Sequence, residues 1–68
     1  MKIQLHAVND DKEFKLELSK SALVGDVLKK LEIPPDTVII MRSGQPIPLD
    51  SPLEPNDKLA MIRVLSGG

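Results

Sequence analysis

Glu13-Phe14-Lys15-Leu16-Glu17-Leu18 and, after a short polar break, Leu23-Val24-Gly25-Asp26-Val27-Leu28-Lys29-Lys30-Leu31 decide the fold between them. In the first stretch apolar and charged side chains alternate without a fault, the period of a strand with one buried face. In the second, Val24, Val27, Leu28 and Leu31 recur at helical spacing, so residues 23–31 predict one short amphipathic helix. Asp26 in its first turn and Lys29 and Lys30 near its end complement the helix dipole, and Pro34-Pro35 forbids its continuation. Gly25 weakens a helix by about 1 kcal/mol relative to alanine and so predicts a close approach to the sheet. Phe14, Leu16 and Leu18 are expected to pack on Val27, Leu28 and Leu31.

Outward from this centre, residues 2–8 alternate Ile3, Leu5 and Ala7 against Lys2, Gln4 and His6, and residues 9–12 form a polar turn, which predicts an opening hairpin. Beyond the prolines, residues 37–42 are rich in β-branched side chains and end at the turn Ser43-Gly44. Pro46 and Pro48 flank Ile47, which restricts that segment to a sheet edge. Residues 49–57 contain Pro52 and Pro55 and predict an irregular crossover, closed by a turn at 54–57. Residues 58–65 then predict the last strand. The order is β-β-α-β-β-β, an α+β chain with one helix packed on one face of a mixed sheet. Residues 1–65 are expected to form one domain, with Ser66-Gly67-Gly68 as a flexible tail.

Composition narrows function. A chain of 68 residues buries only about 60% of its unfolded surface, which leaves room for one small core. There is no cysteine, hence no disulfide, thiolate metal site or thiol nucleophile. Nine basic and ten acidic residues give a formal charge of −1, without the basic surplus of a nucleic-acid binder. No apolar run approaches the roughly 20 residues that span a bilayer, and the first residues lack a signal-peptide layout. A cytoplasmic monomer is expected, with no nucleic acid or membrane contacted directly. His6 has no second histidine beside it and reads as a solvated strand residue. Without a paired histidine, phosphate loop or metal set the chain is not expected to be an enzyme, nor to carry an intrinsic cofactor or metal.

Two features remain. One helix covers one sheet face, so the other should be polar, as the first two strands predict. The third and last strands instead place Ile39, Met41, Ala60 and Ile62 outward, a contiguous apolar patch of the kind that marks a protein interface. The alternative is ordinary surface aliphatics, partly covered by residues 49–57. The second feature is Gly67-Gly68. Glycine lacks a Cβ, so such a tail can lie extended in a narrow tunnel. A terminal carboxylate has an intrinsic pKa of roughly 3.3 to 3.7 and is ionised near neutral pH, able to attack an activated phosphate.

The strand order, the single helix with its proline-rich break, the turns at Ser43-Gly44 and Asn56-Asp57, the last strand and Gly67-Gly68 together resemble the ubiquitin-like β-grasp family. Within it the chain is most similar to the small archaeal ubiquitin-like modifiers, kin of the ubiquitin-related modifier and of the thiamin and molybdopterin sulfur carriers. The resemblance implies that an E1-like enzyme uses ATP to adenylate Gly68. The activated glycine would then pass to a lysine of a target protein as an isopeptide. Alternatively it would become a thiocarboxylate that delivers sulfur, to a tRNA-thiolation enzyme or as a dedicated carrier for molybdopterin or thiamin synthesis. Met41, Ala60, Ile62, Arg63 and Leu65 would contact partners, with Gly67 and Gly68 as the activated end. The rival from another class is a non-covalent β-grasp interaction module. Relatives often place threonine where Leu23 opens the helix, so a missing cap worth about 1 kcal/mol is expected. At Asn56, asparagine tolerates the left-handed conformation that the corner requires.

Overall fold

A computed structural model describes residues 1–64. Strands β1 (Lys2–Ala7), β2 (Lys12–Glu17), β3 (Val38–Arg42), β4 (Gln45–Pro46) and β5 (Lys58–Arg63) form one sheet in the order β2-β1-β5-β3-β4, with helix α1 (Val24–Leu31) between β2 and β3. β1 runs parallel to β5, and the other pairs are antiparallel. This is the expected β-β-α-β-β-β α+β architecture. Ile3, Leu5 and Ala7 of β1, Leu59 and Met61 of β5, and Val38 and Ile40 of β3 are buried together with Val24, Val27 and Leu28 of the helix.

One expectation about the core is corrected. Phe14, Leu16 and Leu18 face the helix side but are only half-buried, as is Leu31. β2 lies at the sheet edge, whereas the side chains buried most completely include Ile3, Leu5, Leu28 and Ile40. An edge strand has a neighbour on one side only, so perfect alternation does not give it full burial.

The helix ends at Leu31 as expected, but by a cap formed before the prolines are reached. Glu32 adopts a left-handed conformation at φ 58°, and Ile33 N–H donates to the Leu28 carbonyl at 2.9 Å. The chain has therefore left the helix before Pro34, by a left-handed cap that satisfies a late carbonyl. Pro34 and Pro35 lead into a 3-10 turn at Pro35–Thr37, which the sequence pattern did not announce. Ser43 at φ 53° and Gly44 at φ 79° form the turn between β3 and β4, two left-handed residues whose twist suits a tight hairpin. Asn56 is left-handed as expected, at φ 63°.

The crossover between β4 and β5 resolves both oddities of the helix start. Val24 N–H donates to the Ser51 carbonyl at 2.9 Å, and Gly25 N–H to the Leu49 carbonyl at 2.8 Å. The Asp26 carboxylate accepts the Leu23 N–H at 2.8 Å. Backbone carbonyls of the crossover thus replace the absent side-chain cap. Gly25 marks a close approach to this loop rather than to the sheet: an added Cβ would lie 3.3 Å from the Leu49 carbonyl oxygen. Gly25→Ala would gain about 1 kcal/mol in an open helix, but here it is expected to lower the urea midpoint because it pushes on that carbonyl. A raised midpoint would show that the loop yields freely.

Leu53 from the same crossover is buried in the core, and an ion pair fastens the segment after it. Arg42 of β3 donates through Nη2 to Asp57 Oδ2 at 2.6 Å and through Nε to Oδ1 at 3.2 Å. Arg42 Nη2 also reaches the Pro52 carbonyl, and Asp57 accepts the Glu54 N–H. The turn leading into β5 is thereby tied to β3.

Candidate functional site

The sheet face opposite α1 is built by the alternate residues of each strand, and pairing registers fix which of them adjoin. Val8 continues β1 on this side, its N–H bonded to the Met61 carbonyl at 3.0 Å. Ile62 pairs with Ile39, and Ala60 lies between His6 of β1 and Met41 of β3. Met41 is thus directly opposite Ala60 and diagonal to Ile62. Val8 is 47% exposed and Ile39 42%, while Met41, Ala60 and Ile62 are half-buried by one another. The crossover lies on the helix side, against Gly25 and with Leu53 in the core, so it does not cover this patch. Toward the other end of the same face the surface turns polar, around Gln4, Lys15 and Lys58.

Of the residues singled out from sequence, the fold gathers Met41, Ala60 and Ile62 and separates Arg63 from them. Arg63 pairs with Val38 and so follows Leu59 and Met61 on the helix side. Its guanidinium donates to Asp10 at 3.2 Å, and its N–H donates to the Asn9 side chain at 2.7 Å. Those bonds tie the end of β5 to the turn after β1. Val8 was the member of the patch missed by sequence reading, although it is apolar where Lys2, Gln4 and His6 on the same side are polar. His6 is half-buried rather than fully solvated, with Nε2 3.8 Å from Asp11 and Nδ1 buried without a partner among the described residues. Among the described residues no three His, Cys, Asp or Glu side chains gather as a metal site, and no helix is long and apolar enough to cross a membrane.

Val64, the last described residue, donates its N–H to the Thr37 carbonyl at 2.8 Å, so it lies beside the start of β3. Leu65, Gly67 and Gly68 lie outside the described residues. The model of the family described as small archaeal modifier protein 2 matches residues 1–65. The chain belongs to that family. Members of it are small ubiquitin-like modifiers, and the β-grasp likeness extends to solved structures. A structure of a Caldiarchaeum subterraneum ubiquitin is 28% identical, with a TM-score of 0.79, over all of this chain and 98% of that one. The crystal structure of SAMP1 from Haloferax volcanii shares the fold at 19% identity and a TM-score of 0.76, with both chains fully covered. An uncharacterized protein of Archaeoglobus fulgidus is 32% identical over 69 residues, again spanning all of both chains. This small archaeal modifier therefore shares the fold anticipated from its strand order, and its outer-face patch sits on the sheet surface that the helix leaves open.

Proposed function

We propose that this chain is a passenger protein whose Gly68 carboxylate is activated by an E1-like adenylating enzyme. The carboxylate attacks the α-phosphate of ATP and releases pyrophosphate; an enzyme thiol or sulfur donor then displaces AMP. The product is either transferred to a lysine amine of a target, forming an isopeptide, or held as a thiocarboxylate for tRNA thiolation. The observation that carries this reading is membership of a modifier family over residues 1–65, with Gly67-Gly68 close behind. The chemistry would occur in the cytoplasm with ATP bound by the enzyme, and the chain itself would supply only the carboxylate and a docking surface. A dedicated sulfur-carrier role for molybdopterin or thiamin synthesis uses the same activated end.

Deleting Gly68 or replacing Gly67 by a bulky residue is expected to abolish transfer while the domain stays folded, because the core lies upstream. The test is intact mass after incubation with an E1-like enzyme, ATP and a sulfur source. Wild type should gain the oxygen-to-sulfur increment or form conjugates, and a tail variant that still reacts would defeat the proposal. The Val8, Ile39, Met41, Ala60 and Ile62 patch also favours a second reading, non-covalent partner binding. Burying one such side chain contributes about 1.5 to 3 kcal/mol, so Ile62→Asp should weaken binding to the activating enzyme at least about tenfold. That loss should appear in the dissociation rate. Unchanged affinity of folded Ile62→Asp and Met41→Asp would leave the tail as the recognised element.

A further inference from the structure

The two edges of the sheet are unlike. β4 presents only Gln45–Pro46, with Pro48 just beyond, and proline there blocks pairing with another strand. β2 runs six residues without proline or bulge and has β1 on one side only. Leu18 N–H donates to the Met1 carbonyl, and the Met1 ammonium donates to the Leu18 carbonyl. This fixes the alternation: the backbone groups of Phe14 and Leu16 turn toward β1, and those of Glu13, Lys15 and Glu17 turn outward. On the helix side the same edge leaves Phe14, Leu16 and Leu18 half-covered, although Leu5 and Ile3, the β1 partners of Phe14 and Leu16, are fully buried.

We infer that the β2 edge is a docking surface for a second copy of this chain, joined by antiparallel β2–β2 pairing about a two-fold axis at Leu16. Charge and the apolar ridge together select the register. Lys15 and Glu17 flank Leu16 with opposite sign, so the axis sets Lys15 of each copy against Glu17 of the other. These are the outward-facing residues that exchange backbone hydrogen bonds in such a ladder. The same register stacks Leu16 on Leu16 and Phe14 on Leu18, extending the half-covered ridge into a shared one. An axis at Lys15 would oppose Lys15 to itself and Glu13 to Glu17. An axis at Phe14 would also pair Lys15 with Glu13, but it would set Leu16 of each copy against Lys12 of the other and break the apolar ridge. Lys30 Nζ already donates to the outward Glu17 carbonyl at 2.9 Å, and the second lone pair of that oxygen is left for the partner N–H. The chain would then be a concentration-dependent dimer rather than the strict monomer expected from its sequence, with the outer-face patch of each copy left open.

Sedimentation equilibrium of the full chain from micromolar to millimolar concentration tests this at low salt. The average mass should climb from the 7.5 kDa of one chain toward twice that value. Lys15→Glu should weaken the dimer at least about tenfold, because symmetry turns two attractive pairs into two repulsive ones. Lys15→Glu combined with Glu17→Lys should restore it, since the swap rebuilds the same pairs. Circular dichroism establishes that each variant is folded. A monomer throughout the range, a dimer indifferent to Lys15→Glu, or a swap that fails to restore association would each overturn the assignment.

Discussion

Leu5→Ala should leave much of the protein unfolded at room temperature. Leu5 is fully buried at the centre of the sheet, between Phe14 of β2 and Leu59 of β5. Truncating a buried leucine costs about 2 to 5 kcal/mol, the transfer term plus the cavity that close packing cannot collapse. A domain below 70 to 80 residues rarely holds more than about 3 to 5 kcal/mol in total, so the loss is comparable to the whole. The same truncation at Leu16, half-buried on the edge strand, should cost clearly less. Urea titrations monitored by circular dichroism give the comparison. Equal midpoints for the two variants would mean that the edge strand is as well covered as the centre.

The second large effect is expected at Asp57. Removing its carboxylate strands Arg42 and leaves the Glu54 N–H without its acceptor. Breaking a fully buried pair costs about 3 to 5 kcal/mol. Asp57 is nearly buried, with 8% of its side chain exposed, but Arg42 keeps 26%, and the guanidinium can recover some hydration. Asp57→Ala is therefore expected to cost about 2 to 3 kcal/mol. In a double-mutant cycle, adding Arg42→Ala should restore part of the loss, because the stranded cation is gone. Strict additivity would show that the two side chains act independently despite their contact.

Legibility tracked range along the chain. Alternation at Ile3, Leu5 and Ala7, helical spacing at Val24, Val27 and Leu28, and the prolines around Ile47 are local patterns with local causes, and each element appears close to where those patterns place it. Even so, β4 is only Gln45–Pro46, just before Ile47, and β5 ends at Arg63 rather than continuing to residue 65. Burial of Phe14, Leu16 and Leu18 was overestimated because alternation reports which face a side chain takes, whereas coverage depends on the strand's position in the sheet. The capping of α1 by Leu49 and Ser51 and the tie between Arg42 and Asp57 depend on contacts made far along the chain, and no spacing announces them. At the outer face, Met41, Ala60 and Ile62 were readable because apolar residues stood where a one-helix sheet calls for polar ones. Their pairing was not, since only the register sets Met41 opposite Ala60. Arg63 sits next to Ile62 in sequence and therefore on the other side of the sheet, which separates it from the patch.

The parallel pairing of β1 with β5 also governs how the protein comes into being. These strands lie near opposite ends of the sequence yet side by side in the middle of the sheet, so the contact that joins the two halves is among the most distant the chain can make. Such contacts slow folding, because a long loop must close before they form. During synthesis the first hairpin, the helix and β3 all emerge while the middle strand is still missing, and Ile3, Leu5 and Ile40 have no completed core to enter. The domain becomes foldable only once β5 has been made. A nascent chain therefore acquires its native shape at the same step as the strand that leads into Gly67-Gly68, and a product broken off earlier would stay unfolded, open to proteolysis before it could compete for partners.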